Sequence, residues 1–221
     1  MTHVAIVGGG FSGTLQAIQL LRRTDVQVTL IERAGRLAGG VAYSTRHPDP
    51  LLNVPASGMT AFPDEPGHFA DWLAANAGGD GATFAERRVY GPYVQALLAA
   101  AKHEAGDWLR VVEDEAVDIA GDEIILGGGG RLHADAVILS IGNLEPEVPR
   151  GIDPATLGQR YVADPWASDI AAGLGSGDTV LLSGTGLSAI DVALMLDAAG
   201  FEGRIIAISR RGLVPQAHAE P

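Results

Sequence analysis

Val4-Ala5-Ile6-Val7-Gly8-Gly9-Gly10-Phe11-Ser12-Gly13 is an apolar run that ends in Gly8-x-Gly10-x-x-Gly13 and passes directly into a helical pattern. In this arrangement the first glycine permits a tight turn after a buried strand. The second lets the backbone approach a pyrophosphate, and the third lets the helix pack on the sheet. The helix, expected from Thr14 to Arg23, would aim its unpaired N–H groups and the positive end of its dipole at phosphate charge. A second strand, Val26 to Ile31, leads to Glu32, about 20 residues past the last glycine, where a carboxylate accepts ribose hydroxyls. In a chain with 30 glycines the glycine spacing alone is weak. With the strand before it, the helix after it and the acid that follows, it reads as a dinucleotide site.

The 221 residues suffice for one or two domains with an ordinary core. A formal net charge of -12, from 15 basic and 27 acidic residues, argues against nucleic acid or an anionic membrane surface as the main partner. There is no cysteine, which excludes structural disulfides, thiolate metal sites, iron–sulfur clusters and a redox-active Cys-x-x-Cys. Val4 to Val7 is too short for a signal core, and no apolar run approaches the roughly 20 residues of a membrane helix. The expected location is the cytoplasm.

After Glu32-Arg33 comes a long irregular segment, Ala34 to Asp64, containing Gly39-Gly40-Val41-Ala42-Tyr43-Ser44-Thr45 and Leu51-Leu52-Asn53-Val54-Pro55. Connections of this length are uncommon unless functional, and apolar residues recur through it. Asp64-Glu65-Pro66 reads as a helix start, with the helix running through Phe69, Trp72 and Leu73 to Gly78-Gly79. A second helix is expected from about Pro92 to Gly106, with Val94, Leu97, Leu98 and Ala101 at helical spacing. From Trp108 the period falls to two. Leu109–Val111, Ala116–Ile119 and Glu123–Leu126 read as short strands, Gly127 to Gly130 as a mobile hairpin tip, and Arg131-Leu132-His133 as the return. Ala136 to Ile141 is a buried-strand pattern ending at Gly142-Asn143, after which Pro146, Pro149 and Pro154 mark a linker. His47, His68 and His133 lack metal-ligand spacing and read as surface residues, so no metal is expected.

A second fingerprint follows. Thr179 to Ser183 is an apolar strand, Gly184-x-Gly186-x-x-Ala189 repeats the turn with alanine in the third place, and a helix from Leu187 to Ala199 leads to a strand, Arg204 to Ile208. Where the first site has Glu32, this one has Ser209-Arg210-Arg211. A carboxylate there would favour NAD, whereas arginines suit the additional 2′-phosphate of NADP. Two fingerprints with opposite charges point to two different dinucleotides.

The whole pattern resembles the flavoprotein class in which an FAD domain is followed by a NAD(P)H domain. It is similar to bacterial FAD/NAD(P)-binding proteins through Gly40-Val41-Ala42-Tyr43-Ser44, Leu52-Asn53-Val54-Pro55 and Phe69-Ala70-Asp71-Trp72-Leu73. Wider relatives are flavin-containing and N-hydroxylating monooxygenases, whose Pro-x-x-Phe-x-x-aromatic-Leu pattern is echoed by Pro66 to Leu73. Arg88-Val89-Tyr90-Gly91-Pro92-Tyr93 matches the segment before their helix onto the sheet. The implied fold is α/β: a Rossmann-like FAD-binding domain with a β-meander over 1–145, a linker over 146–177, and the start of a second Rossmann-like NAD(P)-binding domain over 178–221. The resemblance implies that Gly8, Gly10 and Gly13, flanked by Ser12, and Glu32, flanked by Arg33, hold the ADP half of FAD. It also implies that Val117 passes beside the adenine and that the strand ending at Ile141-Gly142 closes the flavin site. Gly184, Gly186, Ala189, Arg210 and Arg211 would hold NADPH in preference to NADH. The second half has only strand, helix and strand before Pro221, so the chain reads as truncated relative to that class, with catalytic competence in question.

The expected function is an FAD-dependent, NADPH-using oxidoreductase acting on a small molecule, of monooxygenase type. The chemistry then belongs to the cofactor and the protein supplies position and electrostatics, which accords with the lack of a conventional acid–base constellation. Ser44 and Asn53 are the candidates for polar groups near the flavin; capping and turn roles suit them equally. Gly-x-Ser-x-Gly is missing, which disfavours a hydrolase. The alternatives are an FAD-binding module without turnover and an NAD(P)H oxidoreductase with a non-oxygen acceptor; without cysteine, a thiol reductase is excluded. An exposed apolar face on the second sheet would favour a homo-oligomer.

Overall fold

Strand β1 (His3–Val7) lies at the heart of a parallel sheet in the order β3-β2-β1-β7, formed with β2 (Gln27–Glu32), β3 (Leu109–Glu113) and β7 (Ala136–Leu139). The computed structural model describes residues 1–33, 35, 37–45, 48, 50–144, 147–166 and 169–216, and divides into two units, Met1–Leu144 and Glu145–Pro221. His47 and Pro146 lie outside the described residues.

In the first unit the apolar run of β1 is buried on both faces, as a parallel strand covered on two sides requires. Val4 and Ile6 join Val28 and Leu30 against the helices, while Ala5 and Ile31 face Ile124, Leu126 and Ala134 of a second sheet. Successive side chains alternate between the two cores because a strand has period two. The helical layer is α1 (Phe11–Arg23), the single turn α2 (Gly40–Tyr43), α3 (His68–Asn76) and α4 (Arg87–Ala105). The opposite layer is the antiparallel meander β4 (Ala116–Ala120), β5 (Glu123–Leu126) and β6 (Arg131–His133).

Several sequence expectations shift. Helix α3 begins at His68, because Glu65 and His68 are held in turns by the carbonyls of Phe62 and Glu65. Helix α4 begins at Arg87, so Pro92 lies inside it rather than at its start. Proline there removes one N–H. The preceding turn is held by the Arg87 N–H on the Pro50 carbonyl and by the buried Tyr90 ring. Leu109–Val111, expected as a short strand, is β3 of the parallel sheet and pairs with β2 from Val28 to Glu32. Gly127 to Gly130 does turn β5 into β6, but it is pinned: both Asp114 carboxylate oxygens accept the Gly128 N–H, at 3.1 and 3.3 Å. His68 is half-buried rather than a free surface residue. Its Nδ1 lies 2.8 Å from the Tyr93 hydroxyl and its ring packs edge-on against Phe62.

The long segment after Arg33 is zipped along the chain's later residues. Leu52, Ala56 and Ser57 donate backbone N–H groups to the carbonyls of Ala85, Thr83 and Gly81, all at 2.9 Å.

The second unit contains the short helix α5 (Pro154–Leu157) and a β-α-β unit of β8 (Thr179–Ser183), α6 (Leu187–Ala198) and β9 (Arg204–Ile208). Asp153 caps α5, and the hydroxyl of Thr156 and the N–H of Ala155 hold its carboxyl below the usual carboxylate range. Strands β8 and β9 pair in parallel from Thr179↔Arg204 to Ser183↔Ile208, and α6 buries Val192, Met195 and Leu196. Among the described residues no helix is long and apolar enough to cross a membrane.

Candidate functional site

The first fingerprint forms the turn between β1 and α1. Gly8 has φ +100°, and a Cβ there would stand 2.2 Å from the Ser140 carbonyl oxygen, so backbone geometry and the neighbouring strand exit both require glycine. A Cβ on Gly13 would stand 1.8 Å from the Gly8 oxygen; α1 can pack this close only without one. Gly10 is the residue before α1 and carries no side-chain cap, which leaves first-turn N–H groups facing outward beside the exposed Ser12. A Cβ on Gly10 would lie 3.3 Å from the Gly40 Cα, so the turn packs backbone against backbone on α2.

Gly9 fixes the acidic residue. Its N–H donates to Glu32 Oε2 at 2.7 Å, while its carbonyl accepts the Ala38 N–H at 2.7 Å and the Thr14 hydroxyl at 3.0 Å. The Glu32 side chain therefore stands at the turn already oriented. Beyond it, Arg33 Nη1 pairs with Glu115 Oε1 at 3.3 Å on the surface. The Asp114 N–H donates to the Glu32 carbonyl at 3.1 Å, which joins this strand end to the meander hairpin. The β4–β5 register slips between Ala116 and Asp118, which makes Val117 a bulged residue, and it is 57% exposed.

On the other side of the turn, Ser140 follows β7. Its N–H donates to the Val7 carbonyl at 2.7 Å and its hydroxyl accepts from Gln16 Nε2 at 3.1 Å. Ile141 and Gly142 then run exposed past Gly8. Aromatic contacts anchor the covering segment: Phe11 of the fingerprint meets Tyr43 edge-on at 5.2 Å, and Tyr43 meets Tyr90 at 4.7 Å. The Tyr90 hydroxyl donates to the Met59 carbonyl at 2.8 Å, and burial pushes its phenol well above the ordinary range.

Ser44 and Asn53 both lie exposed on this segment, and no hydrogen bond joins them among the described residues. Asn53 Oδ1 accepts from Arg87 Nη2 at 3.2 Å, and Arg87 Nε donates to the Leu51 carbonyl at 2.9 Å. Arg87 escaped the sequence reading, and so did the contact made at Gly91, where a Cβ would meet the Tyr43 carbonyl oxygen at 2.3 Å. A glycine beside a proline inside an otherwise apolar helix was the available signal for the second.

In the second unit, Gly184 has φ +131° and its N–H donates to the Ile208 carbonyl at 2.8 Å, reproducing the turn. Gly186 precedes α6 with no side-chain cap, and the Ala189 N–H donates to its carbonyl at 3.0 Å. A Cβ on Gly184 or Gly186 would meet nothing within 4 Å, so this turn faces open space. Ser183, Gly184, Ile208, Ser209 and Arg210 line a notch beside it, and Arg211 is exposed next to them. No group of three metal-ligating side chains occurs among the described residues.

A protein-family model described as FAD-NAD(P)-binding matches residues 5–144. The chain belongs to the FAD-NAD(P)-binding family. The match begins in β1 and ends beyond β7, and so takes in the whole first site. A Baeyer-Villiger monooxygenase of Streptomyces coelicolor is 33% identical over 72 residues, which is 33% of this chain and 12% of that protein. The S-allyl-L-cysteine S-oxygenase of Allium sativum has a similar fold, with TM-score 0.62 and 23% identity over 99% of this chain and 53% of its own. The lysine monooxygenase of Nocardia farcinica follows at TM-score 0.58 and 17% identity, over 94% of this chain and 59% of its own. This family member thus spans about half the length of the solved structures it resembles.

Proposed function

We propose that the chain is an FAD-dependent oxidoreductase that takes its electrons from NADPH, acts on a small molecule and is of monooxygenase type. The observation that carries this reading is the pair of strand–glycine turn–helix sites whose next strands end in opposite charge, Glu32 in one and Ser209-Arg210-Arg211 in the other. The residues present fit a dinucleotide at the first site. The α1 N-terminus carries no side-chain cap, and Glu32 is already oriented by Gly9.

In this reading the first-turn N–H groups of α1, with Ser12, hold the pyrophosphate. Glu32 Oε1 accepts from the adenosine ribose while Oε2 stays on Gly9, and Arg33 and Val117 border the adenine. Gly142 and the segment carrying Ser44 and Asn53 border the flavin. In the second unit, Gly184, Gly186 and Ala189 shape the nucleotide turn, and Arg210 and Arg211 receive the 2′-phosphate. The flavin, when bound, supplies hydride acceptance and oxygen chemistry; the chain supplies binding, orientation and charge.

The test is the visible spectrum of the protein after loading with FAD and removing the excess, followed by anaerobic titration with NADPH and NADH. Flavin absorbance in stoichiometric amount, bleached by NADPH at lower concentration than by NADH, is expected. One observation favours a second reading, an FAD-binding module without turnover. The sheet described in the second unit has two strands, and Leu181, Ile206 and Ile208 are exposed on it. Flavin that loads but does not bleach with either nucleotide would select that reading, and a chain that takes up no flavin would refute both.

A further inference from the structure

The loop that carries the two arginines is tied at both ends by hydroxyl groups that the nucleotide-site reading leaves unused. At one end Ser209 Oγ accepts the Gly212 N–H at 3.0 Å, closing a four-residue turn with Arg210 and Arg211 at its centre. At the other, the Thr185 hydroxyl donates to the carbonyl of Leu213, the residue after that turn. Thr185 is the variable residue of Gly184-x-Gly186, half-buried in the glycine turn itself. The two bonds bracket the arginines, and the second one fastens their loop to the turn that would carry the pyrophosphate.

We infer that Thr185 is a positioning residue for 2′-phosphate recognition: its hydroxyl sets the Arg210–Arg211 turn at a fixed distance from the pyrophosphate turn. The inference rests on the reading of this site as one for a phosphorylated nicotinamide dinucleotide. Its physical basis is the entropy of the arginines. Both side chains are exposed and rich in rotamers, so a loop that is free to drift would have to be ordered at the moment of binding. Held between Ser209 and Thr185, the loop presents both guanidinium groups from a fixed backbone. Thr185 does this without touching the 2′-phosphate, and it favours a ligand only in proportion to that ligand's use of the arginines. A nucleotide without the 2′-phosphate gains nothing from it.

The experiment uses the whole chain and two small probes, adenosine 2′,5′-bisphosphate and 5′-AMP, titrated by calorimetry, so that no turnover is needed. The wild type should prefer the bisphosphate by roughly tenfold or more, as charge-assisted contacts to phosphate do. Thr185→Val keeps the branched shape and removes the hydroxyl; it should bring that preference down to about threefold or less while 5′-AMP binding stays within twofold. Thr185→Ser restores the hydroxyl and should restore the preference. If Thr185→Val retains the wild-type ratio, or weakens both probes equally, Thr185 does not act through the arginines and the inference fails. If the wild type itself shows no preference and Arg210→Ala changes nothing, the NADPH reading is what has failed, a result distinct from the first.

Discussion

The Glu32 carboxylate accepts the backbone N–H of Gly9 across 2.7 Å, so the acid at the end of β2 and the middle glycine of the first turn form one unit. Glu32→Gln keeps an acceptor for Gly9 and loses the charge. It should leave urea unfolding nearly unchanged and weaken FAD by about tenfold, the scale of one charged hydrogen bond reduced to a neutral one. Glu32→Ala also strands the Gly9 N–H, and should cost a further ~1–2 kcal/mol of stability in addition to the affinity. Flavin fluorescence titration checks the first quantity and urea midpoints the second. An alanine variant that binds FAD like the wild type would sink the assignment of Glu32.

Gly13, the third glycine of the first fingerprint, and Gly186, the second glycine of the other, should differ sharply in what alanine costs. At Gly13 the new Cβ would lie 1.8 Å from the Gly8 oxygen and 3.2 Å from the Ser140 Cβ, and the Gly8 backbone cannot swing aside as the end of a flexible side chain would. Gly13→Ala should therefore destabilise by about 4 kcal/mol or more, in the tail of measured single substitutions. Gly186 has ordinary φ and ψ, and a Cβ there meets open space. Gly186→Ala should cost under about 1 kcal/mol, the loss of a tolerable cap residue, while obstructing the approach of a pyrophosphate. Thermal melts paired with nucleotide titrations separate the two outcomes.

The residues of the first turn were legible because their requirements are local: a buried strand, three glycines at set spacing, and an acid at the next strand's end. What escaped depends on partners distant in sequence. The strand at Leu109 carries the same short apolar signature as those of the meander, and only its pairing with Val28 places it in the parallel sheet. Pro92 was read as a helix start because that is where proline is least costly. The extra turn before it is held by Pro50 and by the packing of Tyr90, neither of which a local pattern announces. Arg87 gives no sign in sequence that it holds Leu51 and Asn53, more than thirty residues earlier.

Gly91 offers a test in which helix propensity and packing disagree. Within a helix, replacing glycine by alanine ordinarily gains about 1 kcal/mol. Here the added Cβ would press on the Tyr43 carbonyl oxygen at 2.3 Å, so α2 would have to leave α4. Gly91→Ala should instead destabilise by roughly 2–4 kcal/mol, the range of overpacked cores and displaced contacts. Because α2 also abuts Gly10, FAD affinity should fall as well. A melting temperature raised above the wild type would mean that propensity prevails and that the Tyr43 contact is soft.

The buried tyrosine cluster should make stability fall at alkaline pH. Desolvation raises the Tyr90 phenol above its ordinary value, and the neighbouring Tyr93 and Tyr43 raise it further. Tyr43 and Tyr93 are raised by desolvation too. A group whose ionisation is held up in the folded state contributes stability in full below its unfolded pKa of about 10, and that contribution is lost as pH rises towards the folded value. Stability should therefore be insensitive to these groups near neutrality and fall above pH 10 by up to about 1.4 kcal/mol per pH unit for each tyrosine involved. Tyr90→Phe removes one such proton and makes the fall shallower. It also leaves the Met59 carbonyl without its donor, so the variant should begin about 1 kcal/mol less stable at neutral pH. The two stability curves should converge as the pH rises above 10; parallel curves would mean that Tyr90 ionises in the folded protein as readily as in water.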